Sequence, residues 1–190
     1  MRVIAGKYKS RSLRALAGDK TRPTSDRLRE TLFNVLTTGN PQALENTTWL
    51  DLFAGTGAVG IEALSRGACH VTFVDSGKAA TKVIRENLKS LGIANGFNIV
   101  QADAMRGLQS LEQRVFRAEY VFVDPPYASH ELYAEVLSFL GNSRIVRATV
   151  IVEHDKRFDP GEEFGNLKRY RMLLQGDSGL SFYRRSIAEA

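Results

Sequence analysis

A single cysteine, Cys69, occurs in the 190 residues, which excludes an internal disulfide framework and leaves no second thiol for a metal-ligand pair. The three histidines, His70, His130 and His154, stand at no metal-site spacing, so no metal is expected. No apolar run approaches the roughly 18–20 residues needed to span a bilayer. The opening MRVIAGKYKSRSL lacks the apolar centre of a signal peptide. A cytoplasmic protein with no membrane contact is therefore expected. There is no internal repeat and no low-complexity stretch. What is present is ordinary: 43% hydrophobic and 25% charged residues, enough for one domain with a buried core. A monomer is expected.

Charge is unevenly placed. Of the net +5, residues 1–30 carry +6, from nine Lys or Arg against Asp19, Asp26 and Glu30, and the remainder is close to neutral. A basic arm over residues 1–20 on a neutral body at 21–190 suits a surface that tracks phosphates. The arm lacks an apolar stripe and reads as a short hairpin or a loose segment. Lys7, Lys9 and Arg11 of the arm, with Arg22 and Arg27 just beyond it, are the candidate nucleic-acid contacts.

Beyond residue 46, short apolar runs alternate with amphipathic ones, the pattern of βα units and a parallel sheet. Strands are expected at Thr48–Phe53, His70–Val74, Phe97–Gln101, Tyr120–Val123 and Thr149–Glu153. Helices are expected at Ala58–Arg66, Lys78–Leu91, Ala104–Leu111 and Glu131–Leu140. Lys168–Leu174 and Leu180–Arg185, joined by the turn-rich Gly176–Gly179, suggest a terminal antiparallel hairpin. Ser25 can cap a helix running to Leu36, whose stripe of Leu28, Leu32, Val35 and Leu36 should dock on the body. Trp49, Phe122 and a buried or half-buried Cys69 read as packing residues. His130 and His154 read as surface or satisfied polar groups. The Arg184-Arg185 pair extends the basic face or keeps an edge strand soluble.

The most informative segment is Asp51-Leu-Phe53-Ala54-Gly55-Thr56-Gly57-Ala-Val-Gly60. Its glycines satisfy the G-x-G-x-x-G spacing, which gives a tight turn, close backbone approach to a ligand and helix–strand packing. Asp75, 20 residues past Gly55, could accept from ribose hydroxyls; this much suits nicotinamide and adenosylmethionine enzymes alike. Asp51 separates them. A carboxylate beside the loop would repel a pyrophosphate but stabilises the ammonium and sulfonium of S-adenosylmethionine. Asp103, after the third strand, could accept from the adenine amine. The cofactor-facing set is then Asp51, Phe53, Ala54, Gly55, Thr56 and Gly57, with Asp75, Ser76, Asp103 and Ala104.

The fourth strand ends in Asp124-Pro125-Pro126-Tyr127. The exocyclic amine of a nucleobase is a poor nucleophile because its lone pair is delocalised into the ring. Two acceptors on its hydrogens, the Asp124 carboxylate and the Pro125 carbonyl, draw the nitrogen towards a nucleophilic geometry. Consecutive prolines pre-aim that carbonyl, and Tyr127 offers a face for the base to stack on.

Together these motifs resemble the class I amino-methyltransferases of DNA and RNA. The segment Arg22-Pro-Thr24-Ser-Asp-Arg27-Leu-Arg-Glu30-Thr-Leu-Phe33-Asn34-Val-Leu36 and the opening Arg2-Val-Ile-Ala-Gly6-Lys7-Tyr-Lys9-Ser-Arg11 are similar to those of bacterial small-subunit ribosomal RNA guanine-N2 methyltransferases. The resemblance implies a Rossmann-like, mainly parallel seven-stranded sheet with helices on both faces. It implies conversion of S-adenosylmethionine to S-adenosylhomocysteine with methylation of guanine N2 in 16S rRNA, at guanine 966, on an assembled or assembling small subunit. By the same resemblance Arg22, Thr24 and Asn34 line the cofactor or base pocket. Asp75 stands where the family often has Glu, and Gly176–Gly179 departs from the family's Tyr-Gly-x-Thr. Three alternatives stay open: an adenine or cytosine target in other RNA or DNA, a nicotinamide oxidoreductase, and a non-catalytic RNA-binding assembly factor.

Overall fold

A computed structural model describes residues 1–16, 25–126 and 128–186. Five strands alternate with helices: β1 (Thr48–Leu52), α2 (Ala58–Ser65), β2 (His70–Asp75), α3 (Lys78–Ser90), β3 (Phe97–Gln101), α4 (Ala104–Gln113), β4 (Ala118–Val123), α5 (His130–Asn142) and β5 (Val146–Asp155). Ahead of them lies α1 (Asp26–Thr37); after them come β6 (Glu163–Phe164), β7 (Leu167–Gln175) and β8 (Ser178–Arg185). The sheet has eight strands in the order β3-β2-β1-β4-β5-β8-β7-β6. The strand beyond the expected seven is β6, two residues long and too short to leave an alternation signal. The first five strands pair in parallel and the last three antiparallel. Most other bounds shift by one or two residues, and two differences matter to the sheet. β5 runs ten residues, and the terminal turn shrinks to Gly176-Asp177 because Gln175 and Ser178 still pair.

Helices cover both faces. α1, α2 and α3 bury one core with Trp49, Phe73, Phe122, Ile151 and Phe182. α4 and α5 bury the other with Leu50, Val74, Val123, Val152 and Tyr183. Residues adjacent along a strand thus serve opposite cores, as the two-residue period of a strand dictates. Trp49 and Phe122 are core residues at 0% and 2% exposure. His154 is buried and satisfied, its ring nitrogens meeting the Asp155 carbonyl at 2.9 Å and Ser181 Oγ at 3.0 Å. His130 is exposed and stacks on Phe158 at 4.1 Å. Cys69, expected at least half-buried, is exposed, because it lies in the turn between α2 and β2 rather than on either element. β8 is flanked by β5 and β7, so Arg184 and Arg185 do not guard an edge. Arg184 lies over the Tyr170 ring and Arg185 donates to the Val146 carbonyl.

The N-terminal segment is docked rather than loose. Arg2 and Ser12 form an antiparallel bridge, and Val3 and Leu13 are buried. Buried polar groups hold it. Glu62 of α2 accepts from the Ile4 and Ala5 amides at 2.8 and 2.9 Å and pairs with Arg29 and Arg66. Arg29 is 0% exposed and donates to the Arg2 carbonyl. Burial lowers its pKa, against the pull of Glu62 and Asp26. Ser25 caps α1 by accepting from Leu28 N at 3.1 Å. The buried side of α1 is Leu28, Arg29, Leu32 and Phe33, rotated from the expected stripe, with Val35 and Leu36 only partly buried. Among the described residues no helix is long and apolar enough to cross a membrane.

Candidate active site

The chain turns back at β1: β2 and β3 build out on one side, β4 and β5 on the other. Such a switch opens a crevice at the carboxyl ends of the two strands that flank it, where open α/β sheets bind ligands. Leu52 of β1 pairs with Val123 of β4, so the loop after Asp51 and the Asp124-Pro125-Pro126 segment stand side by side across that crevice. Asp75 and Asp103 follow β2 and β3 at the same end of the sheet.

Loop geometry begins at Phe53, the residue after β1, which adopts a left-handed φ of 60°. For a non-glycine residue this conformation is strained, at about 1–3 kcal/mol, and such strain gathers at functional sites. Gly55 also has a positive φ, of 54°, and a Cβ added there would meet nothing nearer than 3.9 Å. The space a side chain would fill is open, as a backbone that must approach a ligand requires. At Gly60 the opposite holds: a Cβ would lie 2.3 Å from the Phe73 ring, so this glycine lets α2 press onto β2.

The carboxylates have structural partners that spacing alone did not show. Asp51, 2% exposed, accepts from Gly60 N at 2.9 Å. Gly57, the N-cap of α2, has no side chain to do this, so Asp51 caps the helix from the strand below. Burial raises its pKa to about 8, the Gly60 amide pulls it down, and Asp75 pushes it up further. Asp75 accepts from Gly55 N at 2.8 Å and Gly77 N at 2.7 Å, clamping the loop. Each carboxylate oxygen has a second lone pair, and Asp75 is half-exposed. Asp103 caps α4 through Arg106 N at 3.0 Å and pairs with the Arg106 side chain. Ser76 is exposed beside Asp75, Ala104 is buried in the first turn of α4, and Ala54 is buried with its N–H on the Val74 carbonyl. The Thr56 carbonyl accepts from Asn87 Nδ2 at 3.0 Å; Asn87 is 0% exposed and also binds Arg14 N, tying loop to arm.

Across the crevice Asp124 is half-buried, Pro125 buried and Pro126 exposed. The Pro125 carbonyl accepts from the hydroxyl of buried Tyr133 on α5 at 3.4 Å, with Phe158 packed against the Tyr133 ring. Sequence reasoning missed Tyr133, Asn87, Arg29 and Glu62: each sits in an apolar-looking helix stripe where a polar residue gives no periodic signal. Tyr127, Arg22 and Thr24 lie outside the described residues. Arg27 and Asn34 are both exposed on α1.

Among the described residues of the arm, Lys7 and Arg11 do not gather at the crevice. Lys7 N donates to the carbonyl of Ser65, the last residue of α2, and Arg11 donates to that of Ser90, the last of α3. These are the helix ends remote from the loop. Lys7, Lys9 and Arg11 are all exposed, while Met1 reaches back to Thr56. An RNA held by both regions would run the length of α2.

Comparison with known proteins agrees with this geometry. The model of the family described as "Conserved hypothetical protein 95" matches residues 1–184. The chain belongs to this family. It is 36% identical to "Putative rRNA methyltransferase YlbH" of Bacillus subtilis, over 97% of this chain and 99% of the relative. It is 33% identical to "Ribosomal RNA small subunit methyltransferase D" of Haemophilus influenzae, over 97% and 92% respectively. Among solved structures, "Putative methyltransferase yhhF" from Escherichia coli superposes with a TM-score of 0.82 at 32% identity, covering 98% of each chain.

Proposed function

We propose that this protein transfers a methyl group from S-adenosylmethionine to the exocyclic N2 of a guanine in 16S ribosomal RNA, at guanine 966 of an assembled or assembling small subunit. The observation that carries the reading is the pairing of Leu52 with Val123, which sets a glycine loop and Asp124-Pro125 on the two sides of one crevice. The names of the relatives at 36% and 33% identity support the RNA substrate.

The residues fit the methyl donor. Open space over Gly55 admits its edge, the half-exposed Asp75 has lone pairs for ribose hydroxyls, and Asp51 is a buried carboxyl that a nearby cation would drive to ionise. When bound, the cofactor supplies an electrophilic methyl on a sulfonium. The protein's own part is positioning and polarisation. Asp124 and the Pro125 carbonyl accept the two amine hydrogens, localising the nitrogen lone pair. Tyr133 occupies one lone pair of that carbonyl and leaves the other for the substrate. The two prolines keep the acceptor from reorganising during the reaction. Tyr127 is the stacking partner for a base swung out of its helix. A nicotinamide enzyme would leave Asp124-Pro125 without a catalytic task and set its pyrophosphate against the Asp51 carboxyl.

The test is transfer from labelled S-adenosylmethionine to small subunits lacking the modification, to naked 16S rRNA and to DNA. Label on either ribosomal substrate and none on DNA supports the reading; label on DNA overturns it.

A further inference from the structure

Glu153 stands at the level of Asp124 and takes no part in the polarisation of the amine. β4 and β5 pair in parallel with Val123 opposite Val152. Asp124 leaves β4 directly after that last pair, beside Glu153, the next residue of β5. Phe122 and Ile151 face the α1–α3 core, whereas Val123 and Val152 face the other. Alternation puts Glu153 on the α1–α3 side, next to the point where β4 gives way to Asp124. Glu153 is 2% exposed, and Ser178 Oγ lies 3.5 Å from its Oε1. Its partner on β8, Leu180, is fully buried, so an apolar residue would complete this core at lower cost than a carboxylate.

We propose that Glu153 accepts the N1–H of the target guanine and so selects guanine over the other amino-bearing bases. On its Watson–Crick edge guanine presents N1–H and the N2 amine side by side, both as donors. Two neighbouring acceptors, Asp124 for N2 and Glu153 for N1, match that order. Adenine and cytosine carry a bare ring nitrogen beside their amine, which a carboxylate repels. The proposal rests on the guanine-N2 reading above. Because Glu153 is covered, the base edge must enter past Asp124 and displace chain, a cost common to all bases that cancels from a ratio of rates.

The experiment compares kcat/KM on ribosomal RNA carrying guanine or 2-aminopurine at the target. The analogue keeps the N2 amine but has no hydrogen on N1. Wild type should favour guanine by on the order of tenfold to a hundredfold, the range for a hydrogen bond to a charged group. Glu153→Ala should bring the ratio close to one, and the isosteric, uncharged Glu153→Gln should fall between. The ratio is internal to each preparation, and Glu153→Gln supplies it should Glu153→Ala not fold. If both substrates slow alike with the ratio unchanged, Glu153 is structural and this proposal alone falls. Equal use of the two substrates by wild type also overturns it. A wild type that methylates no guanine overturns the guanine-N2 reading and this proposal with it.

Discussion

Replacing Asp51 by asparagine separates the two tasks of that residue. In the folded protein burial holds the Asp51 carboxyl near a pKa of about 8, against 3.8 for an ordinary aspartate. Between those values the folded state keeps a proton that the unfolded chain has released. Stability therefore falls as pH rises from about 4 to about 8, at about 1.4 kcal/mol per pH unit, and levels off above. From pH 5 to pH 8 this one group removes about 4 kcal/mol, a large share of a typical domain's stability. Asp51→Asn keeps an oxygen for the Gly60 amide and removes the titration. Urea unfolding at pH 5, 6, 7 and 8 should show the variant gaining on wild type by about that amount across the range, while His70 and His154 cancel from the difference. The variant should also bind S-adenosylmethionine more weakly. Calorimetry in buffers of different ionisation enthalpy should find proton release on binding at pH 7 for wild type and none from this site in the variant. Parallel stability profiles, or equal affinity and proton release, would refute the reasoning.

Three further outcomes follow from the packing and charge. Gly60→Ala drives a methyl to 2.3 Å from Phe73 and should cost about 1–3 kcal/mol, seen as a lower Tm; an unchanged Tm would mean that α2 is not pressed tightly onto β2. Arg29→Met removes a fully buried partner of Glu62 and should cost about 3–5 kcal/mol, with the N-terminal hairpin becoming sensitive to limited proteolysis; a protected hairpin would show that the Arg2 carbonyl contact does not hold it. Neutralising Lys7, Lys9 and Arg11 together should weaken RNA binding and reduce the salt slope by about 0.7 for each phosphate no longer neutralised, measured by titration at several salt concentrations; an unchanged slope would remove the arm from the RNA interface.

The sheet was legible in the sequence because each parallel strand is an apolar run closed by a turn, and each helix between them carries a stripe. The motifs were legible for the same reason: Asp75 and Asp124 directly follow apolar runs, while Asp51 and Asp103 lie within two residues of a strand end, so strand ends could be counted off. What could not be read was the third dimension of the polar residues. Asp103 caps α4 as a strand-end acid can be read to do, but Asp51 caps α2 and Asp75 clamps the glycine loop, roles set by which strand lies next to which helix. Arg29, Glu62 and Asn87 occupy helix stripes as buried polar groups, and part of their cost is met by the N-terminal hairpin, a contact remote in sequence. Cys69 falls between elements in the sequence pattern as in the fold, and its exposure was set by how that turn lies on the surface. Glu153 could be read as a strand-end acid able to touch the site, but its place beside Asp124 lay in a register across β4 and β5 that no single strand encodes.

The most direct measurement sets wild type and Asp124→Ala side by side on unmodified small-subunit ribosomal RNA, with bound cofactor and N2-methylguanosine quantified in the same samples. Both should bind S-adenosylmethionine alike. Wild type should form N2-methylguanosine, and the variant should lose at least about 100-fold in turnover, as removal of a preorganised polarising group does. Equal turnover in the two, or methyl transfer by wild type to any product other than N2-methylguanosine, would contradict the account.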